Sequence, residues 1–154
     1  MKLKLLLAAV TMALLTACMQ QGPTMTPLEI QSMQTRSFNA SYNVAFSSTM
    51  SVFQDLGYTV NSADKDTGLI SAESATDSNV AALIFTGNTV TSQTKATAFI
   101  ERLKGKSVVR LNFVQKMESS SGWGQQDRND TPILDTTVYQ NAFERIENAI
   151  FLRK

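Results

Sequence analysis

Hydrophobic residues fall along this chain in three patterns: one dense run at the start, interrupted only by Thr11, two stripes at helical spacing, and several alternating stretches. The run is Leu5 to Leu15, preceded by Lys2 and Lys4. About 11 apolar residues are too few to cross a bilayer, which takes roughly 20, but they suit the apolar core of an export signal. From Met19 to Gln34 the chain turns polar, carries Gly22, Pro23 and Pro27, and shows neither apolar period. That predicts a flexible tether.

The alternating and helical patterns begin after the tether. A short strand is expected at Arg36–Asn39, then a helix from about Ser41 to Leu56. Its stripe is Tyr42, Ala45, Phe46, Thr49, Val52, Phe53 and Leu56, at three- and four-residue steps. Asn39 or Ser41 can cap its start, and Gly57 suits the left-handed residue that ends it. Tyr58, Val60 and Ser62 alternate with polar or smaller neighbours, Asp64 to Gly68 supplies turn chemistry, and Leu69 to Glu73 resumes as a strand, so this stretch predicts a hairpin. Val80 to Phe85 is an apolar run whose length leaves helix and strand open. A second hairpin is expected from residues 93–103 and 107–117 about Lys104-Gly105-Lys106, with Val109, Leu111, Phe113 and Met117 on one face. Glu118 to Thr131 reads as a long polar loop, and a last short strand is expected at Ile133. The final helix, from Asp135 or Thr136 to Leu152, has Val138, Tyr139, Ala142, Phe143, Ile146, Ala149 and Ile150 on one side. The fold class expected is α+β, an antiparallel sheet of about four to five strands with two helices packed on one face.

The apolar run ends in Leu15-Thr16-Ala17-Cys18, and this cysteine is the only one in the chain. The run resembles a bacterial lipobox. The resemblance implies cleavage between Ala17 and Cys18, a thioether from Cys18 to diacylglycerol, and a further acyl chain of the palmitate kind on the new amino group. Two or three such chains, at about 0.8 kcal/mol per buried methylene, hold a protein on a membrane almost permanently. The expected organisation is a signal peptide at 1–17, a lipidated N-terminus and tether at 18–34, and one periplasmic domain at 35–154. Met19 after the cysteine, in place of the aspartate that retains lipoproteins at the inner membrane, implies an outer-membrane location facing the periplasm.

Cleavage would remove Lys2 and Lys4, leaving 12 basic against 13 acidic side chains, a net charge near −1. So balanced a surface gives no electrostatic reason to expect nucleic acid. No cysteine would remain for a disulfide, so stability has to come from packing.

Thr35-Arg36-Ser37-Phe38, Phe53-Gln54-Asp55-Leu56-Gly57-Tyr58, Asp64 to Gly68 with Leu69-Ile70-Ser71-Ala72, and Tyr139-x-x-x-Phe143 with Ile150-Phe151-Leu152 together resemble small Gram-negative envelope lipoproteins, mostly uncharacterised. The order of elements is also similar to the helix-grip domains of BamC, a lipoprotein of the outer-membrane barrel-assembly machinery. The first resemblance spans about residues 34 to 152 and is built of structural residues. It implies a fold more than an activity.

Histidine is absent and the single thiol is taken by the expected anchor. That removes Ser–His and Cys–His catalysis and zinc sites built on imidazole or thiolate. Glycine-rich phosphate loops are absent too. Asp64-x-Asp66-x-Gly68 lacks the further oxygen ligands in register that a calcium loop needs, so its aspartates are expected to bond their own backbone. Nothing pairs Asp55 with Glu73 as a glycosidase would require. No enzyme, metal or cofactor beyond the Cys18 lipid is expected. Two features suit binding. Trp123, between Gly122 and Gly124, is either a partner anchor or a ring folded back on the sheet. Leu83, Ile84 and Phe85 form either a contact patch or local core. The function expected is a non-enzymatic structural or interaction subunit of an outer-membrane-associated complex, with other envelope proteins as partners. The alternative is a small-ligand-binding lipoprotein with a pocket between helix and sheet, lined by Phe53, Phe113 and Phe143.

Overall fold

The computed structural model describes residues 25–78, 88–121 and 126–153. The leader, Ala17 and Cys18, the run Val80–Phe85 and Trp123 lie outside the described residues. In chain order the elements are α1 (Pro27–Gln34), β1 (Thr35–Phe38), α2 (Tyr42–Asp55), β2 (Tyr58–Asp64), β3 (Leu69–Ser74), β4 (Asp77–Ser78), β5 (Asn88–Leu103), β6 (Lys106–Ser121), β7 (Gln126–Pro132) and α3 (Thr136–Phe151). Among the described residues no helix is long and apolar enough to cross a membrane.

The fold is α+β, with one open antiparallel sheet. Its main path runs β1-β6-β5-β3-β2, while β4 pairs with β5 and β7 with β6. The two long strands β5 and β6 form a hairpin in unbroken register from Leu103↔Lys106 to Asn88↔Ser121. Its turn places Lys104 and Gly105 at positive φ, the conformation a two-residue hairpin turn requires. Strands β1 and β7 share one edge of β6: β1 pairs with residues 107–110 and β7 with residues 114–120.

One face of the sheet is covered. Ile70, Ala98 and Leu111 lie side by side across β3, β5 and β6, as do Ala72, Ala96 and Phe113, and all six are buried. Both long helices dock on this face. Phe53 of α2 and Tyr139 of α3 each meet the Phe113 ring edge-on, at centroid separations of 6.4 and 5.2 Å, and Phe143 of α3 meets Phe38 of β1 at 6.2 Å. The stripes predicted for the two helices supply most of what they bury: Ala45, Phe46, Thr49, Val52 and Phe53 in α2, with Ser48 in addition, and Tyr139, Ala142, Phe143, Ile146 and Ile150 in α3; Tyr42, Leu56 and Ala149 are only partly buried and Val138 is exposed. Ser41, one of the two caps considered, caps α2. Asp135 caps α3, accepting from the Thr137 N–H at 2.8 Å.

Three expectations are corrected. The end of the expected tether, Pro27 to Gln34, is helical. Its period is weak, and its start is fixed locally: the Thr26 N–H donates to the Glu29 carboxylate at 2.7 Å, and the Thr26 hydroxyl accepts from the Glu29 N–H at 3.3 Å. This capping box, with Pro27 in the first turn, nucleates a helix that its side-chain pattern does not announce. The polar stretch expected as a loop from Glu118 to Thr131 is sheet in its described parts, as the end of β6 and β7. The short strand expected at Ile133 lies instead at Gln126–Pro132, with Ile133 making one further ladder bond, N–H to the Phe113 carbonyl at 2.9 Å. The described sheet therefore has seven strands where four to five were expected, and three helices where two were expected.

Candidate interaction surface

Strict alternation of burial along β6 runs from Ser107 to Phe113 and stops there; from Val114 to Ser121 no residue is buried. On β5, none from Val90 to Lys95 is buried, and all seven residues of β7 are exposed. The helices cover only the half of the hairpin nearest its turn. The rest, with β7 along one side and β4 along the other, is a polar sheet arm that meets water on both faces. β-Branched Thr favours extended backbone, and the central strands of the arm are paired across in unbroken register.

At the outer end of the arm Asn88 lies opposite Ser121 and Ser120 opposite Gln126, while Ser78 of β4 lies opposite Thr91. The expected contact residues Leu83, Ile84, Phe85 and Trp123 lie outside the described residues, as do Ala17 and Cys18. What the described residues add is the uncovered face of the arm.

That face carries paired charges. Glu73 accepts from the Lys116 ammonium at 2.9 Å through one carboxylate oxygen and from the Asn61 amide at 2.9 Å through the other. Asn61 is delivered by a bulge: the β2–β3 register shifts between Val60 and Ser62, leaving Asn61 as the extra residue, and a bulge re-aims the side chain it frees. Lys116 reaches Glu73 across β5, since Glu73 itself lies opposite Lys95. The two partners, together with the smaller effect of Lys95, hold the Glu73 carboxyl below its ordinary value of 4.5, the Lys116 hydrogen bond being the largest cause. On the neighbouring edge, Arg128 lies 3.5 Å from Asp130 on its own strand and 3.9 Å from Glu118 on β6. Between these groups runs a shallow depression of about 340 Å³ lined by Lys95, Asn112, Lys116, Arg128 and Asp130 among others.

Beside the β2–β3 turn the same face is apolar. Leu69 lies opposite Phe99, and both are exposed, at 51% and 36%. The turn itself behaves as its chemistry predicts. The Asp64 carboxylate accepts from the backbone N–H groups of Asp66 at 2.9 Å and Thr67 at 3.4 Å, which lowers its pKa below the ordinary value. No group of three or more metal-ligating side chains forms among the described residues.

The rings expected to line a ligand pocket are packed against one another and their neighbours. Phe53, Phe113 and Phe143 are 0%, 1% and 2% exposed. Phe53 and Phe113 both touch Tyr58, at centroid distances of 5.9 and 6.2 Å. Asp55 and Glu73 are not brought together by any ion pair or hydrogen bond among the described residues; Glu73 is taken by Lys116 and Asn61.

Sequence reasoning missed β7 and the outer ends of the β5–β6 hairpin, residues 88–92 and 118–121. Their signal is faint because both faces meet water, so no apolar alternation is required. Two local marks were present: alternating opposite charges at Arg128 and Asp130, and Pro132 where an edge strand tolerates a missing N–H. Compared with known proteins, the chain matches no family model and no curated protein.

Proposed function

We propose that this chain is a lipid-anchored protein of the bacterial envelope, held at the outer membrane through Cys18 and facing the periplasm. It acts there as a non-enzymatic structural or interaction subunit of a membrane-associated complex. The observation that carries the interaction role is the sheet arm. A strand pair extended well past the helices, with a third strand along it and no buried residue beyond Phe113 on β6, contributes nothing to the core that the helices close. Such a surface suits recognition through main-chain edges and charge-paired polar groups. The anchor rests on the Leu15-Thr16-Ala17-Cys18 run and its basic, apolar lead. The helix-grip likeness to BamC belongs to the same reading: two helices against one face of an antiparallel sheet, in a lipoprotein that serves an assembly.

The test has two parts. Mass spectrometry of the protein purified from membranes reads the N-terminal peptide, which on this reading begins at Cys18 and carries diacylglycerol. An unmodified thiol or an intact leader overturns the anchor. Photo-crosslinkers at Trp123 and Leu83, with others on the exposed face at Thr91 and Glu118, then read partners in intact cells. The reading expects protein adducts, and their absence at all four positions overturns it.

A further inference from the structure

From the outer edge of β7 we infer that the partner of this arm is a second copy of the same chain, paired antiparallel strand to strand about a two-fold axis at Asn129. The inference rests on the interaction-module reading and names its partner.

The side of β7 available for pairing follows from the ladder. The Ile133 N–H points at β6, donating to the Phe113 carbonyl. Backbone groups alternate sides along a strand, so those of Thr131, Asn129 and Asp127 also face β6, while those of Pro132, Asp130, Arg128 and Gln126 face outward. Pro132, which has no N–H to offer, falls on the outward side, as an edge proline must. No described strand pairs with that outer edge. Among the described residues its outward amides at Gln126, Arg128 and Asp130 therefore have no strand partner, the kind of edge that accepts another strand.

Charge decides the occupant and the register. In an antiparallel pair, outward residues face outward residues. A two-fold at Asn129 sets Arg128 against the partner's Asp130 and Asp130 against the partner's Arg128, giving two opposite-charge pairs that also exchange main-chain hydrogen bonds. Sliding the partner one step either way sets Arg128 against its own copy, or Asp130 against its own copy. Directly opposed like charges destabilise a strand pair, whereas opposed unlike charges contribute. The edge is thus self-complementary in one register and repulsive in its two neighbours. It is not blocked in that register by its charges or by Pro132, which then lies opposite the partner's Gln126 and only accepts. A contact of one short polar strand is small beside a stable interface, so the dimer exchanges readily. Anchoring both copies in one membrane would raise their effective concentration.

The two-fold position supplies the test. Asn129 faces its own copy as a non-hydrogen-bonded pair, where Cα atoms are about 4.5 Å apart, within the span a disulfide bridges. The full chain carrying Asn129→Cys, in native membranes with copper–phenanthroline as oxidant, is expected to form a disulfide dimer. Single Asp127→Cys and Thr131→Cys variants, whose thiols lie away from the axis, are expected to form at least several-fold less. Co-expression of those two variants, which places the thiol at position 127 of one copy opposite the thiol at position 131 of the other, is expected to restore the crosslink. The unsubstituted chain gives the baseline for Cys18. Equal dimer at all single positions, or none at Asn129, overturns the inference. If a photo-crosslinker at Asn129 captures only a different protein or nothing, the self-pairing falls, and the interaction-module reading is decided separately by the crosslinkers at Trp123, Leu83, Thr91 and Glu118.

Discussion

The Tyr139 hydroxyl is inserted into the sheet beside Phe113: it accepts the Phe113 backbone N–H at 3.3 Å and donates to the Ile133 carbonyl at 3.0 Å. Ile133 returns its own N–H to the Phe113 carbonyl at 2.9 Å. The hydroxyl thus occupies the place of the second bond that this pair would exchange in an uninterrupted ladder. It bridges the point on β6 where pairing passes from β1 to β7, and it ties α3 to the start of the arm.

Tyr139→Phe keeps the ring packing against Phe113 and removes only the bridge. A buried N–H is left without its partner, at a cost of about 1–3 kcal/mol. Chemical denaturation should show that loss. Hydrogen exchange should show faster exchange at Phe113 and along β7 than in β3, because the bridge closes the β7 end of the ladder.

Gly57, just before β2, and Gly68, just before β3, should respond differently to alanine. Gly57 has φ +84° with open space where a Cβ would go, so Gly57→Ala meets only the left-handed backbone penalty, about 1–2 kcal/mol. Gly68 has φ +79°, and a Cβ there would run into the carbonyl oxygen of Ile100, the residue whose N–H donates to the Gly68 carbonyl at 2.9 Å. Gly68→Ala should cost about 2–4 kcal/mol, adding overpacking to the backbone penalty. Denaturation midpoints of the two variants, compared directly, check the order.

Glu73 links stability to pH. Its carboxyl is held below 4.5 by Lys116 first and Asn61 second. Since the folded value is the depressed one, the stabilisation is complete above the unfolded value and disappears as pH falls through the folded one. Glu73→Gln should therefore destabilise the protein at pH 7 and have little effect at pH 2–3. The Glu73→Gln variant will still keep an acid-dependent slope, because Asp64 and Glu29 are lowered too. Unfolding curves of both proteins across that range read the difference.

Leu111 is fully buried between Ala98 and the helices. Leu111→Ala should cost about 2–5 kcal/mol. Thr91→Ala on the arm should change stability by less than about 0.5 kcal/mol, as expected of a surface substitution away from the core. The contrast, read by thermal unfolding, separates the half of the hairpin that holds the fold from the half that the core does not use.

What the chain revealed in advance followed burial. The two long helices, the β2–β3 hairpin and the inner halves of β5 and β6 each bury one side, and burying one side forces a period: three to four residues in α2 and α3, two in β6 from Ser107 to Phe113. Where both sides meet water no period is forced, so Gln126–Pro132 looked like loop although its backbone is fully paired to β6. Pro27–Gln34 was hidden for a related reason, its helix resting on a capping box and none of its residues being buried. The charge pairs of the arm were equally illegible: Glu73 and Lys116 are 43 positions apart, and only the sheet order, with a bulge at Asn61, brings them together. Trp123, Leu83 and Cys18 remain sequence-based expectations, since they lie outside the described residues.

The central claim is that the arm beyond Phe113 is the working surface and the helical side is not. A series of photo-crosslinkers in the full chain in living cells measures this directly, with Thr91, Glu118 and Asn129 on the arm against Glu144 and Glu147 on the exposed side of α3. The account predicts protein adducts from the arm positions and none from the two helix positions. Adducts from the helix with none from the arm would contradict it.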